Sequence, residues 1–178
     1  DQIDPDVYFT FICRAYDEFQ NDDTRSVTQA IHAILTLLHN DTIKEDATSP
    51  ISEIFGGEFH ITLECEVCHE FTDKVEKFKL VSVPIPNSPD DVCLDDCIAS
   101  FSLPEEVPVL ERGKCQNCCK LSPSTRYKTI RKIGNALIVY IRRFLIGGIF
   151  EKKITTFVKF PFELKSAAFV SEIDDTFV

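Results

Sequence analysis

The sequence has no apolar run long enough to cross a membrane, and its first residues, "DQIDPDVYF", lack the basic start and apolar core of a signal peptide. Positive charge is also scarce, because 19 lysines and arginines stand against 29 aspartates and glutamates, for a formal net charge of −10. That deficit argues against nucleic acid and anionic membranes as partners and permits a basic protein partner. We expect an intracellular protein, cytoplasmic or nuclear.

Internal repeats and low-complexity segments are absent too. Methionine is missing, even at residue 1, which predicts that the chain is a piece of a longer one. Its 178 residues, 44% of them hydrophobic, suit one globular domain or one lobe of a larger domain.

Cysteine, by contrast, is plentiful, with eight residues, four of them in two C-x-x-C knuckles. The knuckles lie in "ECEVCHEF" (residues 64–71) and "GKCQNCCK" (residues 113–120). In a reducing compartment, such pairs hold a metal more often than they form disulfides. Four thiolates suit tetrahedral zinc and leave no open position, so the sequence predicts one structural zinc ion on Cys65, Cys68, Cys115 and Cys118.

Two alternatives to this ligand set follow from the neighbouring residues. Cys119 could replace Cys118, and His69 could replace Cys68, through small changes in the turns. We prefer two equal knuckles because they need the least distortion. Because 46 residues separate Cys68 from Cys115, the metal would connect two turns that are far apart in the sequence.

The remaining cysteines have simpler interpretations. Cys93 and Cys97 are one helical turn apart but have no second pair beside them, so we expect buried apolar thiols. Cys13 lies within a predicted helix without a neighbouring base, and we expect it to pack rather than react.

Helices are predicted in the first part of the chain. Asp4-Pro5 is a favourable helix start, and the apolar spacing that follows predicts a helix over residues 5–19. Ser26 and Gln29 form a capping-box pattern before an apolar stripe, which predicts a second helix ending near Asn40.

Strands dominate the rest. Alternation from Phe59 to Cys65 predicts a strand into the first knuckle, and residues 58–83 indicate a hairpin with that knuckle at its tip. A short helix with Leu94 and Cys97 on one face is expected next. The segments "STRYKTIRKI", "ALIVYIRRF" and "KKITTFVKFPFEL", the last two joined by a Gly147-Gly148 turn, indicate strands of one larger sheet.

Five motifs together resemble the ubiquitin-specific proteases, papain-like enzymes whose fold is likened to a hand. "IFGGEFHITLECEVC", "LDDCIASF" and "KCQNCC" are similar to the fingers, and "ALIVYIRRF" and "KKITTFVKFPFEL" to the palm. The resemblance implies an α+β, partial papain-like hand fold with N-terminal helices, zinc-ribbon-like fingers and palm strands. It divides one such domain into a thumb-like helical segment (residues 1–45), zinc-binding fingers (46–132) and incomplete palm strands (133–178).

The sequence departs from the family pattern at several positions. The family has an Asp where this chain has Ser26, and that Asp is implied to hold the basic tail of ubiquitin. The resemblance therefore makes Ser26 and Val27 candidate contacts of the ubiquitin tail. Ile133-Gly134-Asn135 stands where the family usually has Leu-Pro, and neither the Cys box nor the His box of the family is present, so no catalytic residue is assigned.

The resemblance implies a portion of a cysteine-type deubiquitinase that binds ubiquitin or a ubiquitin-like protein. Boxes outside these residues would then hydrolyse ubiquitin isopeptide bonds, and a regulatory protein partner is also compatible with the pattern. The alternative is a catalytically inactive relative that acts as a ubiquitin-binding or scaffold module. A nucleic-acid-binding zinc module conflicts with the negative charge.

Overall fold

The computed structural model describes residues 4–16, 19, 27–45, 47–88, 90–145 and 152–164. The chain separates into two compact units, Asp1–Ile54 and Phe55–Val178. Among the described helices, none combines the length and the apolar character needed to cross a bilayer. The predicted turn at Gly147-Gly148 lies outside the described residues.

Three helices are described up to the start of the second unit: α1 (Pro5–Ala15), α2 (Val27–Thr42) and α3 (Pro50–Phe55). The start of α1 is as predicted, because the carboxylate of Asp4 accepts a hydrogen bond from the amide of Asp6 at 3.0 Å. Its predicted end at residue 19 is wrong. Tyr16 adopts an extended backbone conformation (φ −136°, ψ 110°), and this ends the helix at Ala15.

The second helix runs two residues beyond the predicted end, to Thr42, whose hydroxyl donates to the carbonyl of Leu38 at 2.6 Å. Ala33 and Leu35 are its buried residues. Ser26, half of the predicted capping box, lies outside the described residues.

The second unit contains ten strands and two short helices among its described residues. In chain order they are β1 (Gly57–Cys65), β2 (Phe71–Phe78), β3 (Val81–Pro84), β4 (Val92–Cys93), α4 (Leu94–Phe101), β5 (Glu105–Val107), α5 (Val109–Arg112), β6 (Ser124–Lys132), β7 (Val139–Arg142), β8 (Phe144–Leu145), β9 (Lys152–Lys153) and β10 (Val158–Lys159).

The main sheet is antiparallel, with the strand order β2-β1-β6-β5. The predicted alternation in β1 is present, since Phe59, Ile61 and Cys65 are buried. The predicted hairpin is shorter than residues 58–83, because the pairing of β2 with β1 stops at Phe78. Strand β3 then leaves this sheet and pairs in parallel with β7.

The later segments do not form one larger sheet in the described part of the chain, so that prediction is wrong. Only β6 belongs to the main sheet, while β3 with β7, β4 with β10 and β8 with β9 form separate two-stranded ladders. The predicted boundaries at residues 45/46 and 132/133 stay predictions.

The core of the second unit lies between one face of the main sheet, α4 and the short ladders. Its buried members are Phe59, Ile61, Phe78, Val81, Val83, Ile85, Val92, Leu94, Cys97, Ile98, Ile130 and Val158. The rings of Phe59 and Phe78 stack with centroids 4.1 Å apart, and the ammonium of Lys128 lies 3.8 Å from the centroid of Phe59. These contacts anchor the end of the sheet that lies opposite the two knuckles to the core. The paired strands β1 and β6 extend from that end to the knuckles.

Candidate metal centre

The first knuckle is the turn that joins β1 to β2. The amide of Cys65 donates to the carbonyl of Glu70 at 3.0 Å, and the amide of His69 donates to the carbonyl of Cys65 at 2.8 Å. These two bonds fold the chain tightly around Cys68. They require a left-handed backbone at His69, whose φ is 55°.

The second knuckle, between α5 and β6, repeats this arrangement. The amide of Cys115 donates to the carbonyl of Lys120, and the amide of Cys119 donates to the carbonyl of Cys115, both at 3.0 Å. Cys119 has φ of 58°, so it takes the position that His69 takes in the first knuckle. A bridge between Lys114 and Leu121 closes the base of this turn.

Strand pairing brings the two knuckles together. Cys65, the last residue of β1, is the register partner of Ser124, the first residue of β6. The sulfurs of Cys65, Cys68, Cys115 and Cys118 all lie within 4.8 Å of one another, and the four cysteines form a group that could hold a metal ion. The predicted four residues are therefore the ones that the fold assembles.

The spacing of the sulfurs fits a tetrahedral ion. The sulfur of Cys65 lies 3.9 Å from that of Cys118, and the sulfur of Cys68 lies 3.7 Å from that of Cys115. Four sulfurs at the Zn–S distance of about 2.3 Å would be about 3.8 Å apart. The donor set and its spacing thus match a structural tetrathiolate centre.

The surroundings favour ionised thiols at two of the four positions. The Ser122 hydroxyl, followed by the amides of Cys68 and Val67, lowers the pKa of Cys65 to about 5. The amides of Cys118 and Asn117 lower the pKa of Cys115 as well.

Cys118 behaves differently from these two. The Lys120 amide favours its thiolate, but burial and the three neighbouring thiols raise its pKa to about 11. Close thiolates repel one another, so a bound cation is what would allow all four to ionise together.

Neither alternative ligand belongs to the group of four. Cys119 is exposed, and the ring of His69 is directed to the carboxylate of Glu64, with Nδ1 3.1 Å from Oε1. Both residues occupy the left-handed position that follows the second cysteine of each knuckle. Because each residue directly follows the second cysteine of its knuckle, sequence spacing alone left both open as ligands.

The candidate contacts of the ubiquitin tail are only partly described. Val27 is the first residue of α2 and is 67% exposed, whereas Ser26 lies outside the described residues. The first turn of α2 contains no acidic residue.

The other cysteines do not form a nucleophile–imidazole pair. The hydrogen bonds of the described residues join Cys13 to the carbonyl of Phe19 and Cys93 to the carboxylate of Asp96, and none joins a cysteine sulfur to a histidine ring. Cys97 is fully buried, as predicted, and burial raises its pKa. Cys93 is half-buried, hydrogen-bonds a carboxylate and caps α4, so the prediction of a buried apolar thiol is wrong for this residue.

Two residues at the metal centre were missed by sequence reasoning. The hydroxyl of Ser122 lies 3.3 Å from the sulfur of Cys65, and the side-chain amide of Asn117 lies 3.8 Å from the sulfur of Cys68. The available signal was weak: Asn117 lies inside the second knuckle, and Ser122 lies between that knuckle and the strand that pairs with Cys65.

Comparison with known proteins identifies the family. The model of the family described as ubiquitin carboxyl-terminal hydrolase matches residues 1–176. Ubiquitin carboxyl-terminal hydrolase 4 of Saccharomyces cerevisiae (strain YJM789) is 33% identical over 132 residues, which cover 72% of this chain and 14% of that protein. Ubiquitin carboxyl-terminal hydrolase 51 of Mus musculus is 26% identical over 170 residues, covering 81% of this chain and 26% of the relative.

A solved structure shows the same fold. It is a SAGA DUB module containing Ubp8, Sgf11, Sus1 and Sgf73 bound to monoubiquitin, with a TM-score of 0.68 and 19% identity. The match covers 93% of this chain and 38% of the matched one, so the chain spans well under half of its structural and sequence relatives. The predicted α+β, partial papain-like hand fold with zinc-ribbon-like fingers is confirmed. Because the family model matches nearly every residue, this chain belongs to the ubiquitin carboxyl-terminal hydrolase family, as the resemblance to ubiquitin-specific proteases predicted.

Proposed function

We propose that this chain is the ubiquitin-binding, zinc-bearing portion of a ubiquitin-specific protease. Catalytic Cys and His boxes outside these residues would hydrolyse the isopeptide bond, and the chain itself contributes no catalytic residue. The match of the family model to residues 1–176 carries the proposal. The small share of its relatives that the chain spans, 14% for the yeast hydrolase, is compatible with boxes elsewhere in the parent protein.

Zinc is the ion that we propose for the metal centre, with Cys65, Cys68, Cys115 and Cys118 as its ligands. A tetrahedral set of four sulfurs suits zinc or iron, and the intracellular zinc ribbons use this donor set. Four protein ligands leave no open position for water or substrate. The role of the ion is therefore to hold the two knuckles together, with one ion expected per chain.

The partner that we propose is ubiquitin or a ubiquitin-like protein, with Ser26 and Val27 near its tail. The monoubiquitin in the similar DUB module supports this choice, and the other subunits of that module suggest a regulatory protein partner for this chain too. An intracellular location, cytoplasmic or nuclear, fits the eight free thiols. The segments 1–45, 46–132 and 133–178 would be the thumb-like, finger and palm parts of one domain.

A catalytically inactive ubiquitin-binding module is the second candidate. Ser26 in place of the family's Asp, together with the lack of any acidic residue in the first turn of α2, favours it. Hydrolysis of a ubiquitin conjugate by the parent protein separates the two candidates. Activity that disappears when the parent's box cysteine is replaced supports the enzyme, and ubiquitin binding without hydrolysis supports the inactive module.

The test of ubiquitin binding uses this chain and isotopically labelled ubiquitin. Titration should shift a contiguous set of ubiquitin amide resonances, and the double variant Cys65→Ser/Cys115→Ser, which cannot close the metal centre, should weaken the shifts. A ubiquitin probe with a thiol-trapping end should label none of the eight cysteines. Unchanged ubiquitin spectra at saturating chain concentration would refute ubiquitin binding, and covalent labelling would refute the absence of a catalytic cysteine.

A further inference from the structure

A buried hydroxyl lies within hydrogen-bond distance of a sulfur in the first knuckle. Ser122 is only 2% exposed, and its Oγ lies 3.3 Å from the sulfur of Cys65 and 3.0 Å from the carbonyl oxygen of Pro123. A hydroxyl has one proton to donate, and a metal-bound thiolate can only accept. The carbonyl of Pro123 also accepts the amide of Glu66 at 3.4 Å, so the hydroxyl proton can be donated to sulfur without leaving that carbonyl unpaired.

A second donor reaches the same knuckle. The side-chain nitrogen of Asn117 lies 3.8 Å from the sulfur of Cys68, within the longer range of hydrogen bonds to sulfur. Asn117 belongs to the second knuckle, and Ser122 follows it. Both donors therefore cross from the second knuckle to the sulfurs of the first.

This donation is one-directional among the described residues. Val67 holds the position in the first knuckle that Asn117 holds in the second, and a valine side chain has no proton to donate. Thr72 is spaced from Cys65 as Ser122 is from Cys115, yet no hydrogen bond of the described residues joins it to a sulfur.

We propose that Ser122 and Asn117 are positioning residues of the metal centre, which orient the thiolates of Cys65 and Cys68 and stabilise their charge from the opposite knuckle. The inference rests on the proposed zinc site. Hydrogen bonds to ionised groups are about twice as strong as neutral ones, and removal of a group that orients a metal ligand typically weakens metal affinity by about 10- to 100-fold. Metal binding by the first knuckle would therefore depend on the correct position of the second knuckle, which supplies the two donors.

Ser124 provides a matched control. It is buried like Ser122 and lies two residues away, but its hydroxyl accepts a hydrogen bond from the guanidinium of Arg112 instead of contacting a sulfur. Ser122→Ala and Ser124→Ala therefore remove the same atom from similar surroundings, and only the first removes a donor to the metal centre.

The experiment measures zinc affinity of the full chain by competition with a chromophoric chelator. Ser122→Ala should bind zinc about 10- to 100-fold more weakly than the wild type, whereas Ser124→Ala should stay close to it. Asn117→Val, which copies the first knuckle, should show a smaller loss because its contact is longer and exposed. Equal losses for the two serine variants would overturn the proposal, because they would report a general loosening of the turn.

Cobalt substitution gives a spectroscopic measurement of the metal centre that does not depend on the stability of the fold. A hydrogen bond to a thiolate lowers the energy of its sulfur electrons, so Ser122→Ala should shift the sulfur-to-cobalt charge-transfer band to longer wavelength, and Ser124→Ala should not. An unshifted band in Ser122→Ala, with wild-type zinc affinity, overturns the positioning role and leaves the zinc site intact. Failure of the wild-type chain to bind either zinc or cobalt would overturn both the positioning role and the proposed zinc site.

Discussion

Cys118 and Cys119 are adjacent thiols in different surroundings. The sulfur of Cys118 lies 3.9 Å from that of Cys65 inside the group of four, whereas Cys119 is exposed and has the left-handed backbone that ends the turn. The same turn places His69 outside the group in the first knuckle. Backbone geometry thus separates the four proposed ligands from neighbouring residues of identical or similar chemistry.

We predict that Cys119→Ser retains one zinc ion per chain and that Cys118→Ser does not. A lost thiolate leaves three sulfurs, which cannot complete the closed tetrahedral site. Elemental analysis of the two purified variants, prepared in parallel, measures the difference. Loss of zinc from Cys119→Ser with retention in Cys118→Ser would mean that the second knuckle uses its other cysteine.

Ser26 permits a prediction about charge at the start of α2. If the basic tail of ubiquitin lies there, Ser26→Asp should raise ubiquitin affinity about 1.5- to 5-fold, since an exposed ion pair contributes about 0.2–1 kcal/mol. Asn40→Asp adds the same charge near the other end of the helix and serves as the control. Equal gains for both variants, measured in the labelled-ubiquitin titration, would contradict a tail contact at Ser26.

At the scale of elements, β1 begins where the backbone and an aromatic ring leave no room for a side chain. A Cβ at Gly57 would collide with the ring of Phe78 and lie 2.7 Å from the carbonyl oxygen of Lys132. The Phe78 ring cannot move aside freely because it stacks on Phe59. Glycine at this position lets β1 lie between both neighbours where the sheet meets the core.

We expect Gly57→Ala to lower the free energy of unfolding by about 1–3 kcal/mol, the usual cost of overpacking. A double-mutant cycle with Phe78→Leu isolates the collision with the ring, and the two losses should sum to more than the loss in the double variant. Urea denaturation of the four proteins measures this. Strict additivity would show that the ring is not the obstacle.

The start of α4 is fixed by Asp96, whose carboxylate accepts hydrogen bonds from the amide of Cys93 at 2.8 Å and from its thiol at 2.9 Å. The Cys93 thiol, followed by its amide, lowers the pKa of Asp96. A lowered folded pKa means that the stabilisation is complete above the unfolded value of about 4 and is lost as the pH falls through the folded pKa.

Asp96→Asn should therefore be less stable than the wild type at pH 6, and the difference should shrink as the pH falls below about 4. Asp95→Asn, in the same first turn of α4, is the matched control, and its difference should show little of this pH dependence. Thermal unfolding across the pH series provides the measurement. A constant difference for Asp96→Asn at all pH values would exclude the charged cap.

The sequence was sufficient for features that one segment determines alone. Alternation predicted β1, the paired cysteines predicted the group of four, and the spacing of Leu94 and Cys97 predicted the buried face of α4. It was insufficient where the partner of a segment matters. Strand composition continues past Phe78, but β3 pairs with β7, more than fifty residues away, and no local pattern shows that change of partner.

The same limit applies to the metal centre. Knuckle spacing identifies the sulfurs because both ligands of a pair lie in one turn. Ser122 contacts Cys65 only because β6 pairs with β1 in a register that places Ser124 opposite that cysteine. Its role depends on strand register, which the local sequence does not encode as a pattern.

At the scale of the whole molecule, the metal centre connects segments that are far apart in the chain. Residues 69–114 form a loop between the two knuckles and contain β2, β3, β4, α4, β5 and α5. A cross-link that closes about 50 residues stabilises a fold by about 4 kcal/mol through the entropy of the unfolded chain. The ion would therefore act on the second unit, Phe55–Val178, where all four cysteines lie.

Removal of the metal with a chelator should accordingly destabilise the second unit by up to about 4 kcal/mol. Amide hydrogen exchange followed by mass spectrometry should show faster exchange in β1 and β6, which meet at Cys65 and Ser124. Amides of α2, in the first unit, should exchange as before because no ligand lies in that unit. Uniform acceleration in both units would mean that they unfold together, and unchanged exchange in β1 and β6 would show that the ion contributes nothing to the stability of the fingers.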